Sequence, residues 1–127
     1  MLYDTTRWNG QYDSLIPVFL AKADGVLLLF DSSTKTDFDG LKDCLNIITN
    51  FYELEDFPVL LIANKIDLGK IVENEEIEKF QKENQLIGYF EVSCKTGYNV
   101  IESFDFFMEY IIQKENEQRN ILQKYLK

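Results

Sequence analysis

An α/β fold, a mostly parallel sheet with helices on both faces, is what this sequence predicts, on three observations. Two short runs, Val26–Phe30 and Val59–Ile62, are wholly apolar and rich in branched side chains. They are too short for a helix core and read as strands buried on both faces. Between and after them, apolar residues recur at helical spacing, and alternating strands and helices are the sequence form of a parallel sheet with crossover helices.

Each element follows from local composition. Leu2 and Tyr3 look like the tail of a strand, and Asp4 to Gln11 has the Asp, Thr, Asn and Gly content of a loop. Ser14 to Lys22 reads as a short helix with Pro17 in its first turn, where a missing N–H is tolerated. Asp24-Gly25 turns the chain into Val26–Phe30, which ends at Asp31. Thr36-Asp37-Phe38-Asp39 resembles a capping box, with Thr36 placed to accept from the N–H of Asp39. Behind it, Phe38, Leu41, Leu45, Ile48 and Tyr52 form one face of a helix over Thr36–Tyr52.

Glu53 to Phe57 is a loop leading into the Val59–Ala63 strand. A helix over Asn74–Lys82 turns Ile77 and Phe80 inward and carries an acidic first turn, which suits the helix dipole. Tyr89–Val92 is a third strand. The last helix, Asn99–Gln113, is expected to bury Ile101, Phe104, Met108 and Ile111. Residues 1–113 thus make one domain, and 114–127 a polar C-terminal extension, helical or disordered, with Ile121, Leu122 and Leu126 in it.

Composition narrows the function. At 127 residues there is one domain, and ten Phe and seven Tyr can fill its core. Thirteen Lys and Arg against 22 Asp and Glu give net −9, which disfavours nucleic acid and anionic membrane as direct partners. The absence of histidine removes Ser-His-Asp and Cys-His catalysis and most catalytic zinc sites. Cys44 falls in a helical pattern and Cys94 in a polar loop, so a reducing compartment is expected and a disulfide is not. No run is long enough to cross a bilayer, Met1-Leu2-Tyr3-Asp4 has no signal-peptide pattern, and Leu122–Lys127 has no cysteine. The expectation is a cytoplasmic chain with no prenyl or other direct membrane anchor.

Two polar clusters stand at strand ends, where open α/β sheets bind ligands. Asn64-Lys65-Ile66-Asp67 follows the central apolar run, and Ser93-Cys94-Lys95 follows Tyr89–Val92. Alone, the first reads equally as a polar turn leaving a strand. The order strand, N-K-x-D, helix, strand, S-x-K resembles the guanine-binding half of the Ras-like small GTPases. The resemblance covers nearly the whole chain and implies a truncated P-loop NTPase (small G protein) fold.

It also implies a guanine pocket and GTP or GDP as ligand. Asp67 would accept both N1–H and the 2-amino group of guanine, a charge-assisted pair that adenine cannot offer. Asn64 would tie neighbouring loops together and meet the far edge of the base, while Lys65 lays its stem over the ring. Ser93 and Lys95 would complete the pocket, with a backbone N–H near Cys94 or Lys95 reaching the guanine carbonyl. Where Cys94 stands the family usually has alanine.

The rest of the family pattern fits less well. Leu2-Tyr3-Asp4-Thr5 resembles the strand end whose Asp reaches magnesium (Mg2+) through water, making Asp4 the metal candidate. The family then has Gly three residues on and usually Gln after it; here Arg7 and Trp8 stand there, with Gly10-Gln11 three residues late. Gln11 is the catalytic candidate, orienting the attacking water, and its displacement points to weakened or absent hydrolysis. No G-x-x-x-x-G-K-S/T motif and no first switch occur in the chain, so magnesium is expected only in a full-length form.

Two readings of that absence stay open: a fragment of a full GTPase, or a shortened, nucleotide-poor relative that works as a protein-interaction module. Ser14–Pro17, Asp31–Phe38 and Leu86–Ser93 look most like the Rab branch. That implies protein effectors or regulators as partners and a place peripheral to endomembranes. A third alternative is a receiver-like flavodoxin-fold domain, with Asp31 and Lys95 at strand ends, but no acidic pair for magnesium accompanies them.

Overall fold

A computed structural model describes residues 16–126. The Leu2–Tyr3 strand tail, the start of the expected Ser14–Lys22 helix and the candidates Asp4 and Gln11 lie outside the described residues. In chain order the elements are α1 (Ile16–Leu20), β1 (Val26–Asp31), α2 (Lys35–Asp39), α3 (Leu41–Thr49), β2 (Val59–Asn64), a 3-10 turn (Ile66–Leu68), α4 (Asn74–Glu83), β3 (Gly88–Glu91) and α5 (Val100–Leu126).

The three strands form one parallel sheet in the order β1-β2-β3. Val26 pairs with Val59 and the register runs through to Asp31 opposite Asn64. The two apolar runs therefore end level, each on a polar residue. β2 is buried from Val59 to Ala63, as a central strand in a parallel sheet must be.

Alternation along the strands builds two cores. Leu28, Phe30, Val59, Leu61 and Ala63 face Leu20, Phe38, Leu41, Leu45, Ile48 and Ile77 from α1 to α4. Leu60 and Ile62 face the other way, against Phe107 of α5, with Leu27, Phe90, Val100 and Ile111 packed around them. Helices thus lie on both faces. At Gly25 a Cβ would stand 2.7 Å from the Phe107 ring and 2.9 Å from the Pro58 carbonyl oxygen. Only glycine lets the turn into β1 pass there.

Three local expectations are corrected. The helix expected over Thr36–Tyr52 is two helices meeting at Gly40, whose N–H still donates to the Thr36 carbonyl at 3.1 Å. Its N-cap is Thr34, without a side-chain bond, so Thr36 lies inside the helix and makes no capping box. Asp37 is drawn instead to β1, where its carboxylate accepts the Asp31 N–H at 2.6 Å. The helix stops at Thr49, and Tyr52 beyond it stacks its ring on Phe57 at 3.8 Å and donates its hydroxyl to the Leu20 carbonyl.

The third correction is the phase of α5. Ile101, Phe104 and Met108 are exposed, while Ser103 and Phe107 are buried and Val100 and Ile111 half-buried. Two apolar stripes compete on this helix, and the serine in the second disguises it. Ser103 fits because its hydroxyl donates to the Val100 carbonyl at 2.8 Å, leaving a small side chain against the sheet.

Candidate functional site

All three strands end at the same edge, and their polar ends converge there. Asn64 closes β2 with its side chain turned along the edge. Its Oδ1 accepts the N–H of Lys65 at 2.8 Å and of Cys94 at 3.1 Å, so one amide joins the two loops. The Ile66 N–H donates to the Val92 carbonyl at 3.1 Å, a second tie between them. Ser93, almost fully buried, donates its hydroxyl to Asp67 Oδ1 at 2.7 Å and accepts the Thr96 N–H at 3.2 Å. Asp67 is exposed in the 3-10 turn. No donor among the described residues takes its second oxygen.

Asn64, Lys65, Asp67, Leu68, Cys94 and Lys95 line a cavity of about 330 Å³. Of the six residues singled out from sequence as base-binding, five line it and Ser93 fixes one wall from beneath. The cavity lies within the size range of small-molecule sites. A carboxylate pinned through one oxygen, with acceptor capacity left over, suits a ligand that presents two adjacent donors. Lys65 has φ +62, the left-handed region, at the sharp exit from β2.

The loop after β1 supports this edge, and sequence reasoning missed it. Ser32 is fully buried; its N–H and hydroxyl both donate to the Asn64 carbonyl, at 3.0 and 2.7 Å. The Ser32 carbonyl accepts the Ile71 N–H at 2.9 Å, binding the segment after the 3-10 turn to the same place. Asp31 accepts from the Ser33 N–H at 2.9 Å and hydroxyl at 2.6 Å, and its other oxygen meets the Lys65 ammonium at 2.9 Å. The Ser33 bonds, then Lys65, hold its pKa down at about 2. The available signal was the equal length of the two predicted strands, Val26–Phe30 and Val59–Ala63, each followed by a polar residue, Asp31 and Asn64. Among the described residues Asp31 ends an edge strand, and its ion-pair partner is Lys65.

No group of three or more His, Cys, Asp or Glu among the described residues is placed to hold a metal ion. Cys44 is half-buried, its thiol pKa raised chiefly by burial, and Cys94 is exposed; both are free. Comparison with known proteins decides the family: a model of the Ras family matches residues 1–113.

The chain belongs to the Ras family.

Within the Ras family its similarity is to Rab-named proteins, which puts it on the Rab branch. It is 30% identical over 117 residues to the Ras-related protein Rab-32A of Dictyostelium discoideum, covering 87% of this chain and 53% of that protein. It is 32% identical over 119 residues to RabH of the same organism, covering 94% and 60%. To Rab-18 of Lymnaea stagnalis it is 33% identical over 109 residues, covering 85% and 54%. The chain spans about half the length of the curated relatives it matches. Membership of the Ras family takes away the ground for the receiver-like alternative.

Proposed function

We propose that these residues form the guanine-selective half of a Rab-type small GTPase. The observation that carries the reading is the single hydrogen-bonded frame of Asn64, Asp67, Ser93 and Cys94 at the edge of the cavity. In it Asp67 accepts the two adjacent donors of guanine, Lys65 covers the ring face, and Lys95 and the Cys94 backbone close the carbonyl side. A frame assembled before the ligand arrives spends little entropy on ordering itself.

The phosphates of GTP or GDP call for a different part. Phosphate-binding loops hold them with backbone N–H groups and a lysine, and no such motif occurs in these 127 residues. At net −9 the chain also repels a triphosphate. These residues alone therefore bind guanine nucleotide weakly, with little dependence on magnesium and negligible turnover. In a longer form Asp4 would reach magnesium through water and Gln11 would orient the attacking water. The domain is residues 1–113, with 114–127 as an extension. Effectors or regulators are its protein partners, in the cytoplasm at the surface of endomembranes. No helix among the described residues is long and apolar enough to cross a membrane.

We carry a second reading beside it, a nucleotide-poor relative that acts as an interaction module. Calorimetry with GTP, with and without magnesium, separates the possibilities. Weak, magnesium-independent binding supports the base-half reading, and no binding at all supports the module. Tight, magnesium-dependent binding contradicts both.

A further inference from the structure

We propose that Asp31 is a positioning residue of the base site: its carboxylate holds the Lys65 ammonium and so keeps the Lys65 stem along one wall of the cavity. The proposal rests on the base-site reading above and extends it to a residue outside both the N-K-x-D and the S-x-K motifs.

The geometry has three parts. First, Lys65 lines the cavity while Asp31 does not, yet the two charged ends are 2.9 Å apart. We take the stem to run along the cavity wall on its way to that partner. Second, the base of that stem is fixed, because Asn64 Oδ1 takes the Lys65 N–H and the backbone turns through φ +62. Third, Asp31 is itself held: Ser33 donates to it twice, and the parallel register sets it opposite Asn64.

An untethered lysine samples many rotamers, and a ligand that needs one of them must order it. An exposed ion pair between two mobile side chains does little. Here one partner is held in place: Asp31, 19% exposed, takes two bonds from Ser33, while the Lys65 side chain is 54% exposed. The Asp31 carboxylate, with its pKa near 2, remains ionised across any pH at which binding would be measured. The stem is thus ordered before a planar ring arrives, and part of the entropic cost of binding is removed.

The test is a double-mutant cycle on the 127-residue chain, read as the dissociation constant of guanosine monophosphate by amide chemical-shift titration. Circular dichroism checks the fold of each variant. Asp31→Asn, which keeps an acceptor for Ser33, is expected to weaken binding about fivefold. In a Lys65→Met background, which keeps a long stem but has no charge to hold, the same substitution should change binding by less than about 1.5-fold. Ser33→Ala, which loosens Asp31 without removing it, should weaken binding about twofold and decides the matter if Asp31→Asn does not fold.

Equal or tighter binding by Asp31→Asn overturns the proposal, as does a loss of the same size in the Lys65→Met background. If Asp31→Asn does not fold, unchanged binding by Ser33→Ala overturns it. Failure of the unmutated chain to bind guanosine monophosphate overturns the base-site reading and this proposal with it. That outcome is distinct, because it shows in the unmutated chain before any variant is compared.

Discussion

The two faces of the sheet are finished to different degrees. On the face covered by α1 to α4, Phe30, Leu45, Ile48, Val59, Leu61 and Ile77 are each at most 1% exposed. On the other face α5 is the main cover among the described residues. Phe107 seals the middle, but Leu29 on β1 is 48% exposed, and Phe104, Met108 and Ile112 of α5 are exposed as well. The same alternating strand, β1, thus has one row of side chains in a dense core and another with water on it. The first face is expected to carry most of the stability, and the second face, with β1 as an edge strand among the described residues, to favour association. The candidate site sits at the strand ends, where both faces meet.

The largest expected effect breaks that contrast directly. Leu61→Ala on the finished face should destabilise the chain by about 2–5 kcal/mol, whereas Leu29→Ala should fall within about 0.5 kcal/mol. Urea denaturation of both variants checks this, and similar losses would show that the two faces are equally packed. Next in size is Gly25→Ala. Its methyl would press on Phe107 and the Pro58 carbonyl, with an expected loss of about 1–3 kcal/mol by thermal denaturation. Toleration of the methyl would show that α5 rides loosely on its face.

A smaller effect concerns acid. Asp31 has its pKa lowered to about 2 from an ordinary value of 3.8. Its contribution to stability is therefore complete above the unfolded value and is lost as pH falls through the folded one. Asp31→Asn should flatten the stability profile between about pH 4 and pH 2, as followed by denaturation at stepped pH. Smallest in free energy is association. Leu29→Lys should reduce self-association of the isolated chain in sedimentation velocity with little change in stability. A monodisperse, unmutated chain would remove the open face as a liability.

The sequence made some of this plain and hid the rest for identifiable reasons. Val26–Phe30 and Val59–Ala63 were legible because short apolar runs have few other uses in a soluble fold. The buried sides of α2 and α3 were legible from Phe38, Leu41, Leu45 and Ile48. The packed side of α5 was not: Ile101, Phe104 and Met108 make the more apolar stripe, yet the sheet takes the stripe containing Ser103. The capping box at Thr36 failed because the helix begins at Lys35 with Thr34 as its N-cap, which leaves Thr36 inside it. At the site, the polar ends of β2 and the β3 loop announced themselves as motifs. Asp31, Ser32 and Ser33 carry no motif, and their role emerges only when parallel register lays β1 beside β2.

The central claim is that these residues already hold a guanine-selective site. The direct measurement is chemical-shift titration of the 127-residue chain with guanosine and adenosine monophosphates, repeated for Asp67→Asn. The account predicts weak binding of the guanine nucleotide, with shifts at Lys65, Asp67, Cys94 and Lys95, and little response to adenine. It further predicts that Asp67→Asn erases the preference, lowering guanine affinity about tenfold or more, since an amide cannot accept both donors. Equal binding of the two nucleotides, or a guanine preference that survives Asp67→Asn, would contradict it.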